Sequence, residues 1–136
     1  MVSIAGCAQT VTAPTSAPNS ADISAALGTG GVWKLQSLTR PDSTTVTVSQ
    51  PDRFTLELLD STGRTAVRAD CNRGAGPFTL NGSALTVGLM AVTRAYCSSA
   101  PFDDEYLKLL SGDSVLTLSG TSLQLSSSRG TLRFTL

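Results

Sequence analysis

The chain contains no histidine, and with it go the commonest general base, the commonest metal ligand and the side chain that changes charge near neutral pH. Charge of either sign is scarce: Asp, Glu, Lys and Arg make up 15% of the 136 residues, against roughly 25% in an ordinary globular protein. Ten basic side chains balance ten acidic ones. No electrostatic footprint for a polyanion follows from that balance, so nucleic acid is not an expected partner. Aromatic residues reach only 5%. No apolar run approaches the roughly 18 residues that a membrane-spanning helix needs. Cysteine appears three times, too thinly and without the paired spacing or the histidines of a zinc site, so no metal or cofactor is expected. The length suits one domain.

What is present begins with Ile4-Ala5-Gly6-Cys7. An aliphatic residue and two small ones before a cysteine read like the end of a bacterial lipoprotein signal, with Cys7 as the lipidated residue. Only six residues precede it, without a basic residue or a full apolar segment, so residues 1–7 read as the remnant of such a signal or as a chance match. Residues 8–31 carry one charge, two prolines and no aromatic side chain. Such a stretch cannot bury enough apolar surface to offset its ordering entropy, and is expected to be a disordered linker rich in Ser, Thr, Ala and Pro. The folded domain is expected over residues 32–136.

From Trp33 the apolar pattern has period two, the mark of half-buried strands. Trp33, Leu35 and Ser37 share one face, and a polar turn follows at Arg40-Pro41-Asp42-Ser43. Phe54, Leu56 and Leu58 alternate with polar residues up to a turn at Asp60-Ser61-Thr62-Gly63, and Thr65, Val67 and Ala69 resume the alternation. Two glycines between Asn72 and Gly76 are expected to break the next strand before Phe78. Asn81-Gly82 is the strongest hairpin signal in the chain, and further strands are expected over 84–87, 114–118, around Leu123 and Leu125, and over 131–136. Trp33, Phe54, Phe78, Phe102 and Phe134 are the expected core anchors.

One segment has helical spacing: Phe102, Tyr106, Leu109 and Leu110 lie on one stripe near residues 100–111. A serine near its start, Pro101 in its first turn, three acids at the positive end of its dipole and Gly112 beyond its end support a helix there. The fold class is therefore α+β. About seven or eight short, mostly antiparallel strands curl into a partial barrel or sandwich, with one helix packed on it.

Cys71 and Cys97 form an even pair in a chain that reads as exported, which favours a disulfide between them, with two buried thiols as the other reading. Several short motifs come in a definite order: Trp33-Lys34-Leu35, Cys71-Asn72-Arg73 followed by Gly76 and Phe78, Leu85-Thr86-Val87-Gly88, Thr93-Arg94 with Cys97 three residues on, and Glu105-Tyr106-Leu107-Lys108-Leu109-Leu110. Over residues 32–136 this set resembles the META domain family, which includes the HslJ-like heat-shock lipoproteins of bacterial envelopes. Asp70 stands where that family usually has glycine, and Gly74 where it often has an aromatic residue.

The resemblance implies a small β-rich exported domain, often anchored to a membrane by an N-terminal lipid, associated with stress tolerance and bringing no enzymatic activity. Asn72 suits an Asx-type turn, while Arg73 and Arg94 suit hydrogen bonds to loop carbonyls or pairing with Asp70 or Glu105. The same three residues, Asn72, Arg73 and Arg94, are candidate binding residues if the arginines converge beside the disulfide on an anionic group. Catalysis is not expected. Asp103, Asp104 and Glu105 are adjacent on a helix and point different ways, and no Ser, Thr or Cys has a histidine partner. The expected protein is a monomeric, non-catalytic envelope lipoprotein that contacts an envelope protein or ligand. The alternatives are a pilot-like carrier holding an apolar ligand or peptide between sheet and helix, and a secreted inhibitor with a rigid loop near residues 72–76.

Overall fold

The computed structural model of the chain describes residues 31–59, 62–96 and 102–136. The lipobox with Cys7, nearly all of the expected linker, Cys97 and Pro101 lie outside the described residues.

Among the described residues ten strands, one α-helix and a short 3-10 turn at Pro51–Arg53 follow: β1 Trp33–Thr39, β2 Thr45–Thr47, β3 Phe54–Leu59, β4 Arg64–Ala69, β5 Asn72–Asn81, β6 Ala84–Val87, β7 Ala91–Val92, helix α1 Asp103–Leu110, β8 Gly112–Ser119, β9 Ser122–Ser127 and β10 Gly130–Thr135. Every pairing is antiparallel, and eight strands run β1-β3-β4-β5-β6-β8-β9-β10. β10 then pairs with β1, from Lys34↔Thr135 to Thr39↔Thr131, and closes the sheet. The expected antiparallel sheet with one helix is present, but its barrel is complete where the sequence suggests a partial one. Closure pairs β1 with β10, the two outer strands of that run of eight, whose open edges would otherwise be a liability. β2 and β7 are short additions, on β1 and β5 respectively.

Alternation places one face of every barrel strand inside. Leu35, Leu56, Leu85, Leu123, Leu125, Leu132 and Phe134 are buried there, with Trp33, Phe54 and Phe78. Burying each such side chain contributes about 1.5–3 kcal/mol. An eight-stranded barrel is just wide enough for its own side chains to fill, and here Trp33, Phe54, Tyr106 and Phe134 do so. Phe102 is only half-buried, stacked on Phe54 with ring centroids 4.8 Å apart.

Three local expectations need correction. β1 shifts register between Leu35 and Ser37, so Leu38 rather than Ser37 is the next buried residue; a bulge adds one residue and resets the alternation. The glycines at 74 and 76 do not break β5, which runs on unbroken to Asn81. Helix α1 starts at Asp103 with Phe102 at the cap position and no side-chain cap bond, later than the start expected near residue 100; the serines before it and Pro101 lie outside the described residues. The three acids and the stripe of Tyr106, Leu109 and Leu110 fall as expected.

Helix α1 caps one end of the barrel. Tyr106 enters between Phe54 and Phe134, and its hydroxyl donates to the carbonyl of Thr55, 2.9 Å away. Arg40 at the end of β1 grips Glu105 with two hydrogen bonds of 2.6 and 3.0 Å. That fork raises the arginine's already high pKa.

Candidate functional site

The helix-capped end of the barrel gathers the ends of β1, β4, β6 and β9 and the beginnings of β3, β5, β8 and β10. The motif residues that sequence reading singled out come to this same end. β4 turns into β5 through Asp70 and Cys71, with Ala69 paired to Asn72. Asp70 is fully buried and has a left-handed backbone, φ +58°. Its carboxylate accepts from Arg53 Nε at 2.6 Å, its N–H donates to the Arg53 carbonyl at 2.7 Å, and its own carbonyl accepts from Arg68 Nε at 2.9 Å.

Asn72 opens β5 and is buried. It makes no Asx turn. Its Oδ1 accepts from the Ala95 N–H at 2.7 Å and from the Thr93 hydroxyl at 3.0 Å, while its Nδ2 donates to the Ala95 carbonyl at 3.1 Å. One side-chain amide thus bonds both the N–H and the carbonyl of Ala95 and pins the segment after β7 against β5. Cys71 is exposed on the turn beside it, its Sγ 3.9 Å from the Ala95 carbonyl oxygen.

The arginines are distributed differently from expectation. Arg53 reaches Asp70 and Arg40 reaches Glu105, the two acids that Arg73 and Arg94 were expected to meet. Arg73 is exposed, and its backbone exchanges two 2.9 Å hydrogen bonds with Thr93. Arg94 approaches Asp104 at 3.6 Å, both being well exposed. Thr93 lies beside Arg73. Arg94 lines the groove beside helix α1, and Arg73 does not. Residues 72–76, the premise of the inhibitor alternative, belong to a paired strand rather than to an exposed loop.

Residues 25–136 match the META domain. The chain belongs to the META domain family. No curated protein sequence matches it significantly. Among solved structures, the META chain is similar to a Burkholderia xenovorans protein determined by NMR, at 24% identity and TM-score 0.66, over 96% of this chain and 97% of that one. A second NMR structure is similar at 20% identity and TM-score 0.55, over 77% and 87% of the two chains. A crystal structure of a lipocalin-like protein from Bacteroides uniformis is similar at 18% identity and TM-score 0.53, over 78% and 96%. At such identities these likenesses establish the barrel fold.

The family's motifs thereby acquire physical roles. The turn holds a left-handed residue at position 70, a conformation glycine adopts freely, and this META domain uses an aspartate that also anchors Arg53. The pairings of Arg53, Arg40 and Thr93 escaped the sequence reading because their partners lie 17, 65 and 21 residues away. Among the described residues no three carboxylate, cysteine or histidine side chains come together to hold a metal ion.

Proposed function

We propose that this META-domain protein is a non-catalytic component of the bacterial cell envelope, exported and held at a membrane by a lipid on Cys7. It supports envelope maintenance under stress through contacts made at the helix-capped end of its barrel. The observation that carries this reading is how the polar motif residues are spent. Asp70 and Asn72 are committed to backbone and arginine partners that shape one end of the molecule. Polar groups so occupied build a surface rather than a reaction site.

A Cys71–Cys97 disulfide belongs to the same proposal. Asn72 holds Ala95 beside the β4–β5 turn, and Cys97 follows only two residues later, within chain reach of Cys71. On the chain-entropy estimate, such a bond contributes about 3–4 kcal/mol. Its place at the contact end suits an oxidising compartment.

The test is intact mass spectrometry of the protein expressed from its natural reading frame and recovered from the membrane fraction, before and after reduction. The expected species begins at Cys7, carries added lipid, and gains the mass of two hydrogens on reduction. An unmodified chain beginning at Met1 with its three cysteines reduced would overturn both lipidation and export.

A further inference from the structure

The barrel wall is split beside helix α1. β6 leaves β8 at the Val87↔Gly112 pair, while the chain continues along β5 as β7 through Ala75↔Ala91 and Gly74↔Val92. A groove of about 680 Å³ opens between β7 and the helix. That size lies within the roughly 300–1,000 Å³ typical of small-molecule sites. Both walls are held in place: Gly88 N–H donates to Pro77 and Thr93 N–H to Arg73 on one side, and the Arg40–Glu105 fork fixes the helix on the other.

Two chemistries meet in this groove. Met90, Val92 and Leu107 are half-buried and apolar, and Leu89 stands at the lip with 94% of its surface exposed. The lining also carries three cations, Arg94, Lys108 and Arg129, against one carboxylate, Asp104. Asp104 approaches Arg94 at 3.6 Å and stands one helical turn before Lys108; among the described residues neither Lys108 nor Arg129 has an ion-pair partner within 4 Å. The Arg129 guanidinium lies over Gly112 and donates to the Asp113 carbonyl at 2.9 Å, while its buried Nε has no acceptor.

We propose that this groove binds a long-chain amphiphile with an anionic head. The chain lies along Met90, Val92 and Leu107 and covers Leu89, and the head group meets Lys108 and Arg129. An uncharged apolar ligand would leave the two cations unanswered. A small anion would gain only what exposed cations offer in water, which is little. An amphiphile removes Leu89 from solvent and neutralises the rim in one event. Carboxylate and phosphate heads share this chemistry. This inference names a ligand for the contact end, and it stands independently of the lipid on Cys7.

The experiment titrates the full ¹⁵N-labelled chain with dodecanoate, dodecyl phosphate, dodecyltrimethylammonium and acetate, each below its micelle concentration, following backbone amides by NMR. With dodecanoate or dodecyl phosphate, shifts are expected at residues 89–94, 104–112 and 129, and the stronger of the two identifies the head group. Acetate is expected to give none, and the cationic amphiphile to bind at least about tenfold more weakly. Lys108→Glu and Leu89→Ser both alter exposed side chains and keep the barrel's spectrum, and each is expected to weaken anionic binding roughly tenfold. Shifts scattered over the barrel, equal binding of the cationic amphiphile, or indifference to both substitutions would overturn the proposal. So would an acidic peptide that binds along β7 where neither anionic amphiphile does. The mass of the membrane-derived protein is unaffected by any of these results, so failure here is separable from failure of the envelope reading.

Discussion

Asp70 meets two requirements that would otherwise fall to different residues. The turn needs a left-handed backbone, and the buried end of the barrel needs an anion for Arg53. Glycine supplies the first alone, and alanine neither. Asp70→Ala is therefore expected to be less stable than Asp70→Gly by about 1–2 kcal/mol, because both lose the ion pair and only alanine keeps the strained backbone. Urea midpoints of the two variants check the order, and equal stability would show that the left-handed backbone at position 70 carries no strain. Tyr106 gives a prediction with a pH axis. Burial pushes its phenol well above the ordinary value, so the folded state holds the proton more tightly than the unfolded chain. The associated stability is fully present below the unfolded pKa of about 10 and is lost as pH rises above it. Unfolding free energy followed from pH 8 upward should fall beyond about pH 10, and Tyr106→Phe should flatten that fall. At neutral pH the same variant should lose about 1 kcal/mol with its hydrogen bond to Thr55.

At the scale of elements, β5 shows why two glycines misled the sequence reading. Glycine in a strand suggests a break, but it also marks close approach of another backbone, and composition does not separate the two. A Cβ on Gly74 would press on Val67 and Val92, and one on Gly76 would lie 2.8 Å from Met90 Cγ and 2.9 Å from the Leu89 carbonyl oxygen. The glycines let the segment from Leu89 to Val92 lie flat on β5, and so they shape the inner wall of the groove. Gly76→Ala is expected to cost about 1–3 kcal/mol by overpacking and to displace that segment. Amide shifts concentrated at residues 88–93 would confirm the mechanism; a uniform loss of stability with an unchanged spectrum there would count against it. The hairpin at Asn81-Gly82 and the helix stripe were legible because their signals are local. The bulge in β1 was not, since nothing in the run Trp33 to Leu38 marks which residue is the extra one.

Closure of the barrel belongs to the whole molecule. The alternation of β1 and of β10 was visible separately, yet their pairing joins residues about a hundred positions apart, and no local pattern encodes it. The core anchors were legible for the same reason that closure was not. Burial follows from each residue's own chemistry, while adjacency depends on every turn between. The closed seam has a consequence for the ends of the domain. Gly31 lies against the side chain of Leu136, and the Leu136 N–H donates to the Thr121 carbonyl, so both ends meet at the barrel mouth opposite helix α1. Joining Leu136 to Gly31 by a short glycine linker, and opening the chain in the β5–β6 turn at Gly82, preserves every barrel pairing. Such a permutant is expected to keep the β-rich spectrum and cooperative unfolding, because its new ends lie in a surface turn where a Cβ on Gly82 would touch nothing. Deleting residues 130–136 instead leaves β1 and β9 with open edges and removes Leu132 and Phe134 from the core, and should abolish soluble folding. If the permutant fails to fold while the deletion succeeds, the β1–β10 seam is not what completes the barrel.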